Sequence, residues 1–320
     1  MEVYACYNTN EDIRNQSSSG GIYALIAQAV IKNNGAVFAV CYDDKFETEH
    51  RKITSIEELN QTFGSKYVPS KLHGTFQEVK NCLIEGQTVL FVGTPCQCAG
   101  LKCFLGQEYE NLWLIDLVCH GVPSKAVWRQ YLKELEDDQI ISINMRDKSL
   151  GWSEWNYNWS IKYKNGDTKI IHRSQVLFMQ GFEKDYYLRP SCNECNFKGL
   201  NRCTDITIGD YWGVWKEDPN MDDGKGTSII IIHSEKGRMI MESIKKNIKI
   251  IKTDIHKVIE YNPSIIESAM LTTKRKLFFK KFKSNKTLKQ IIKDLSKTDI
   301  RVKLKNKFKN IILKLSTQSN

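Results

Sequence analysis

The chain has 320 residues, of which 41% are hydrophobic and 26% are charged, enough for one large core or two smaller ones. Residues 1–5 lack the basic start and apolar run of a secretory signal, and no apolar run is long enough to span a bilayer, so we expect a cytoplasmic protein. Ten cysteines exceed ordinary packing needs but are too few for a disulfide-rich secreted scaffold, which indicates metal, cluster or thiol chemistry.

The N-terminal part of the chain alternates strands and helices. Residues 3–7 predict a short strand, and the polar stretch after it leads through Ser17 to Gly21 into a helix that continues to about Lys32. Residues 36–42 are again rich in strand-forming residues. This order of elements predicts an α/β (α+β) fold with a mostly parallel sheet flanked by helices.

Two later strands end in turns that carry a cysteine. The apolar residues 88–92 lead into Cys96 and a further helix, and residues 112–118 lead into Cys119. The carboxyl ends of parallel strands share one edge of a sheet, where open α/β folds place their sites. We therefore expect Cys96 and Cys119 to lie together at that edge.

The middle of the chain has a different pattern. Residues of about 140–172 alternate and are rich in tryptophan and tyrosine, with a hairpin signal at Asn165-Gly166-Asp167, which predicts an antiparallel insertion. A cysteine-rich loop region and a last buried strand follow. We divide the chain into one domain of residues 1–270, which contains this insertion, and a basic helical tail of residues 271–320.

Cys192 and Cys195 have the short loop spacing that lets two thiolates bind one metal or cluster. Zinc, an iron-sulfur cluster and a redox dithiol all use this spacing. Cys96 and Cys119 are the best-placed further ligands for a cubane cluster, with Cys203 as an alternative. A zinc site of Cys192, Cys195, Cys203 and a histidine stays open, but it leaves Cys96 and Cys119 unexplained. We expect the remaining five cysteines to be core residues: Cys6, Cys41, Cys82, Cys98 and Cys103. For Cys98 and Cys103, which lie on the helix after Cys96, a role as alternative ligands stays open.

Several segments together resemble the coenzyme F420 hydrogenase/dehydrogenase beta-subunit family. They occur in the family's order between about Val3 and Gly213. Besides the pair Cys192 and Cys195, they are Ser17-Ser18-Ser19-Gly20-Gly21, Gly64-Ser65-Lys66-Tyr67-Val68, Gly93-Thr94-Pro95-Cys96-Gln97, Cys119-His120-Gly121-Val122-Pro123-Ser124 and Asp205-Ile206-Thr207-Ile208-Gly209-Asp210-Tyr211-Trp212-Gly213.

The resemblance implies a 4Fe-4S cluster and a flavin, FAD in preference to FMN. It also implies electron transfer between the cluster and a flavin that exchanges hydride with coenzyme F420 or another small molecule. Many longer members begin with a ferredoxin-like segment, which this sequence lacks, so we expect a separate ferredoxin or ferredoxin-like protein to donate electrons. The alternatives are a non-catalytic electron-transfer or assembly subunit without flavin, and a zinc-binding interaction module.

The matched segments supply the candidate cofactor residues. Because Ser17, Ser18, Ser19, Gly20 and Gly21 offer hydroxyls and backbone N–H groups at a helix start, we expect them to bind the flavin diphosphate, although a serine-rich helix cap without a ligand explains them too. His120 and Lys66 are the candidate catalytic residues. The alternative for His120 is a turn histidine bonded to the backbone, and the alternative for Lys66 is a solvated surface lysine. The other cofactor-binding candidates are Thr94, Gln97, Gly209 and Asp210.

Residues 271–320 hold 16 lysines and arginines against two aspartates, interleaved with leucine, isoleucine and phenylalanine. This pattern is typical of interfacial helices, so we expect peripheral contact with the inner face of the membrane or with an acidic partner; a helix packed loosely on the domain is the alternative. We expect the cofactor-binding core not to need this tail. Nucleic-acid binding is not expected, because the aromatic residues do not recur as a stacking platform.

Overall fold

The computed structural model describes residues 1–135, 139–153, 157–284 and 286–296. These residues form strands β1 (Glu2–Asn8), β2 (Ala36–Tyr42), β3 (Thr48–Ile53), β4 (Val89–Gly93), β5 (Leu112–Leu117), β6 (Ile140–Asp147), β7 (Asn158–Tyr163), β8 (Thr168–His172), β9 (Ile206–Asp210), β10 (Ser228–Ile232) and β11 (Ile248–Lys252). Their helices are α1 (Glu11–Gln16), α2 (Ile22–Lys32), α3 (Ile56–Leu59), α4 (Thr75–Ile84), α5 (Pro95–Leu105), α6 (Lys125–Glu134), α7 (Leu177–Phe182), α8 (Val214–Glu217), α9 (Glu235–Ile244), α10 (Ile255–Tyr261) and α11 (Lys274–Phe282). Residues 288–296 are also helical.

The larger sheet has eight strands in the order β11-β1-β10-β9-β5-β4-β2-β3. Its four central strands, β9, β5, β4 and β2, pair in parallel, and the strands outside them pair antiparallel. Strands β6, β7 and β8 form a separate antiparallel sheet at the position predicted for the insertion. The predicted α/β fold class is confirmed. Of the helices described, none is both long and apolar enough to cross a membrane.

Helices cover both faces of the larger sheet. Alternate residues of a strand point to opposite faces, so Leu90 of β4 packs with α2 and α9, whereas Phe91 packs with α4 and α5. Cys6, Cys41 and Cys82 are buried in these cores, as predicted. Cys98 is buried too, but Cys103 is exposed because it lies on the outer face of α5, so its predicted core position was wrong.

The smaller sheet has its own aromatic core. Trp128 of α6, Trp159 of β7 and Phe178 of α7 are fully buried there. Phe278 of α11 is buried in the same cluster, with its ring centroid 5.1 Å from that of Tyr187. Leu288, Ile291, Ile292 and Leu295 of the following helix also join it. The predicted division at residue 270 therefore separates residues that share one core, and residues 297–320 lie outside the described residues.

Candidate functional site

A cleft of about 800 Å³ lies where the carboxyl ends of β4, β5 and β9 face the smaller sheet. Twelve of the residues predicted from the sequence line it: Ser17, Ser18, Ser19, Gly21, Lys66, Thr94, Cys96, Gln97, Cys119, His120, Gly209 and Asp210. Four others do not: Gly20, Cys192, Cys195 and Cys203. The cleft has the size and the mixture of apolar and polar walls that are typical of cofactor pockets.

The three serine hydroxyls near the N-terminus are occupied within the protein. The Ser17 hydroxyl donates to the Ile13 carbonyl at 2.8 Å, and the Ser19 hydroxyl donates to the Thr227 carbonyl at 2.7 Å. The Ser18 hydroxyl shares a hydrogen bond of 2.8 Å with the Ser65 hydroxyl. These contacts fix the turn between α1 and α2. What the turn offers a ligand is therefore its backbone and the start of helix α2, more than its hydroxyls.

Helix α2 begins in the cleft without a side-chain cap. Its N-cap residue, Gly21, has φ +78°, in the left-handed region that favours glycine, and none of the described side chains caps the helix start. Gly21, Ile22 and Tyr23 all line the cleft. Gly20 serves packing instead, because a Cβ there would lie 2.5 Å from the carbonyl oxygen of Cys6. The free N–H groups and the helix dipole make this end of the cleft suited to an anion.

Arg146 of β6 is a cleft residue that the sequence analysis missed. Its side chain is 1% exposed and donates two hydrogen bonds to the carboxylate of Asp210, at 2.7 and 2.8 Å. It also donates to the Tyr67 hydroxyl and to the Ser18 carbonyl, both at 3.1 Å. One side chain thus joins the smaller sheet, the serine turn and the end of β9. An arginine among the apolar residues of β6 was the available signal.

Lys66 lines the cleft, but its ammonium group is held by the chain. It donates to the carbonyl oxygens of Thr62, Phe63 and Gly64 at 3.0 to 3.2 Å. Burial lowers the pKa of Lys66 to about 8. Because all three ammonium hydrogens have acceptors, Lys66 stabilises the turn over residues 62–66 and adds positive charge to the cleft wall.

His120 forms a pair with Asp185, which the sequence analysis also missed. The His120 Nε2 and Asp185 Oδ1 atoms are 2.6 Å apart, and the other carboxylate oxygen accepts from the Met270 N–H at 2.9 Å. Asp185 is buried and has φ +56°, a conformation that aspartate tolerates better than most residues. In the neutral ring this contact places the proton on Nε2 and leaves Nδ1 as an acceptor.

Cys96 and Cys119 line the cleft, and the thiols of Cys192 and Cys195, which lie outside its lining, are close enough to act electrostatically on Cys119. The pKa of Cys119 is raised to about 12: burial is the largest cause, the Lys198 ammonium opposes it, and the thiols of Cys96, Cys192 and Cys195 add to the rise. Cys192 lies just behind the cleft wall, where its sulfur accepts from the Val122 N–H at 3.3 Å. Neutral thiols in such a group lose their protons when they bind a metal or cluster.

Cys203 has different neighbours. Burial raises the pKa of its thiol, and the charged groups that act on it are Lys102, Asp116 and Cys103. This environment favours Cys96 over Cys203 as the companion of Cys119. Among the described residues, no three histidine, cysteine, aspartate or glutamate side chains are arranged to hold a single metal ion. A four-iron cluster spreads its thiolates more widely than one ion does, so the donor set fits a cluster better than zinc.

Two family models match most of the chain. Residues 3–76 match the N-terminal model of the coenzyme F420 hydrogenase/dehydrogenase beta subunit, and residues 86–258 match the C-terminal model of the same subunit. Together they span the cleft residues from the serine turn to the end of β10. No curated protein sequence matches the chain significantly.

A solved structure has a similar fold. It is a xenon derivative of the F420-reducing NiFe hydrogenase complex from Methanosarcina barkeri, in which one chain is 12% identical to this one. The match covers 83% of this chain and 88% of that chain, with a TM-score of 0.55. At this level of identity the likeness supports the fold.

Proposed function

The chain belongs to the coenzyme F420 hydrogenase/dehydrogenase beta-subunit family, and we propose that it is an electron-transferring oxidoreductase that holds a flavin and a 4Fe-4S cluster. The observation that carries the proposal is one cleft lined by the uncapped start of α2 and by Cys96 and Cys119, with the thiols of Cys192 and Cys195 near Cys119. A flavin exchanges hydride as an electron pair and a cluster accepts single electrons, so the two together couple the two kinds of transfer.

The residues of the cleft fit these groups. The start of α2 would bind the flavin diphosphate, with FAD favoured over FMN, through the backbone of Gly21 and Ile22. Thr94 and Gln97 form a capping box at the start of α5, with the Gln97 side chain accepting from the Thr94 N–H at 2.9 Å. This box fixes the turn that presents Cys96. The cluster would be held by Cys96, Cys119, Cys192 and Cys195.

Two groups orient the rest of the site. Arg146 holds both Asp210 and the serine turn, so it sets the width of the cleft at the flavin end. Asp185 fixes the ring of His120 beside Cys119, where the ring can accept or donate a proton next to a bound redox group. We propose coenzyme F420 or another small hydride carrier as the substrate and a ferredoxin-like protein as the electron partner, both in the cytoplasm.

Anaerobic purification followed by visible spectroscopy, with flavin, iron and sulfide measured, tests the proposal. We expect flavin bands over a broad cluster absorption. Cys96→Ser should lose the cluster's iron and sulfide, whereas Cys103→Ser, an exposed cysteine on the same helix, should keep them.

Other spectra support the alternatives. Cluster absorption without flavin indicates a non-catalytic electron carrier, and a colourless protein with stoichiometric zinc indicates an interaction module. Equal iron in Cys96→Ser and wild type contradicts the assignment of Cys96.

A further inference from the structure

The loop that carries Cys192 and Cys195 (residues 190–199, the cysteine loop) is joined to a second segment at the surface. The N–H of Ala269 donates to the Cys192 carbonyl at 3.1 Å, and the N–H of Cys195 donates to the Ser268 hydroxyl at 3.0 Å. These two hydrogen bonds hold the second segment beside the cysteine loop, next to Cys192 and Cys195.

This surface exposes four large apolar side chains. Phe197 of the cysteine loop is 40% exposed, and on the second segment Ile266, Met270 and Leu271 are 42%, 74% and 70% exposed. Single exposed apolar residues are common, but a group of them on two hydrogen-bonded segments indicates an interaction site. We call these four residues the apolar patch.

Positive charge borders the patch. Helix α11 begins three residues after Leu271, and its outer face forms a groove of about 600 Å³. Among the described residues that line this groove, Phe279 is the one apolar residue and the others are cationic: Arg275, Lys276, Lys280 and Lys283. Arg189, which directly precedes the cysteine loop in sequence, is exposed as well. A partner that covers the patch would therefore bring acidic groups to these cations.

We propose that the apolar patch and the basic groove of α11 form the docking surface for a small acidic electron-transfer protein. The inference rests on the proposed function, because it places the partner next to thiols that would hold the cluster. Electrons pass efficiently only when the two redox groups come close, and this surface includes the loop that carries Cys192 and Cys195, both of which are partly exposed.

The packing of α11 favours a protein partner over a lipid surface. Membrane-surface helices turn their apolar face towards the acyl chains. In α11 this face is turned inwards: Phe278 is fully buried, its ring stacks on Phe282 at 5.9 Å, and both belong to or pack against the aromatic core. The groove that remains outside is charged, as the edge of a protein interface is.

The test measures binding of a bacterial two-cluster ferredoxin to the full chain by calorimetry, and reduction of the chain by that ferredoxin or by dithionite. The double variant Met270→Glu/Leu271→Glu should weaken ferredoxin binding at least about tenfold, because it places two charges in the interface centre. Its reduction by dithionite should be unchanged. Met239→Glu is the matched control, since Met239 is 68% exposed on α9.

Equal ferredoxin affinity in the double variant and the wild type overturns the docking surface, even when the cluster is present and reducible. A membrane surface is supported instead if the wild type binds phosphatidylglycerol vesicles, the double variant does not, and both bind ferredoxin equally well. That outcome overturns the docking surface. A protein that contains no iron and binds no ferredoxin overturns the proposed function together with this inference. Weaker ferredoxin binding at higher salt in the wild type supports the role of the basic groove.

Discussion

Replacing Arg146 by methionine is expected to destabilise the protein and to loosen the cleft. The guanidinium is 1% exposed and donates two hydrogen bonds to the Asp210 carboxylate, whose side chain is 17% exposed. Removing one partner of a buried pair leaves the other charge without compensation, which costs about 3 kcal/mol. The Ser18 carbonyl and the Tyr67 hydroxyl lose a donor as well. Because the serine turn loses this anchor, we expect flavin affinity to fall too.

A double-mutant cycle separates the free energy of the Arg146–Asp210 pair from the effect of lost packing. Arg146→Met, Asp210→Asn and the double variant are compared by urea unfolding at pH 7. We expect each single variant to lose about 3 kcal/mol and the double variant to lose about 4 kcal/mol, which gives a coupling of roughly 2 kcal/mol. Arg146→Lys keeps the charge but not the two-pronged geometry, so it should recover part of the loss.

A surface ion pair provides the control. Arg129 is 56% exposed and pairs with Glu47, which keeps Lys71 and Lys125 as partners. Arg129→Met should therefore cost less than about 1 kcal/mol. If the losses of Arg146→Met and Asp210→Asn add to within about 0.5 kcal/mol in the double variant, the two residues are not coupled and the reasoning about the cleft is wrong.

Two further predictions concern the core around the cleft. Burial lowers the pKa of His50 from 6.5 to about 4. As pH falls from 6.5 to 4, the unfolded chain therefore takes up a proton at His50 before the folded chain does, and about 3 kcal/mol of the free energy of unfolding should be lost. His50→Leu should flatten this pH dependence in unfolding curves measured across that range. Gly20→Ala should destabilise by about 1–3 kcal/mol because its Cβ would meet the backbone at 2.5 Å. Gly100→Ala, in a helix with ordinary contacts, should be neutral or stabilising, and thermal unfolding followed by circular dichroism compares both glycine variants with the wild type.

The sequence predicted those parts of the site that depend on local rules. A strand followed by a cysteine-bearing turn predicts where the cysteine lies in an α/β sheet, and Cys96 and Cys119 are at that edge. The start of α2 was likewise predicted from a run of small residues after a strand. In both cases the sequence pattern and the element that it predicts lie in the same short segment of the chain.

Contacts between distant segments could not be predicted in this way. Arg146 and Asp210 are 64 residues apart, and His120 and Asp185 are 65 apart. Nothing in either segment alone indicates its partner. The serine hydroxyls show the same limit: a hydroxyl-rich turn predicts a polar environment, but only the packed chain decides that Ser19 donates to Thr227 and not to a ligand.

The basic tail differs most from what its sequence pattern predicts. An apolar stripe on a helix indicates burial but not the surface that buries it. Here Phe278, Leu288, Ile291 and Leu295 are all fully buried against the chain's own aromatic core. Each such side chain contributes about 1.5–3 kcal/mol, so together they approach the whole stability of an ordinary domain.

A chain that ends at Ser268 should therefore fail to fold, contrary to the expectation that the cofactor-binding core does not need the tail. A chain that ends at residue 296 keeps all of these contacts and should unfold cooperatively near the temperature of the full chain. Circular dichroism during heating compares the two. If the Ser268 chain shows a cooperative transition within a few degrees of the full chain and retains its flavin, the helices after residue 270 are an appendage and their burial contributes little. An intact 296-residue chain beside an unfolded 268-residue chain would instead show that α11, which borders the docking surface, is part of the domain.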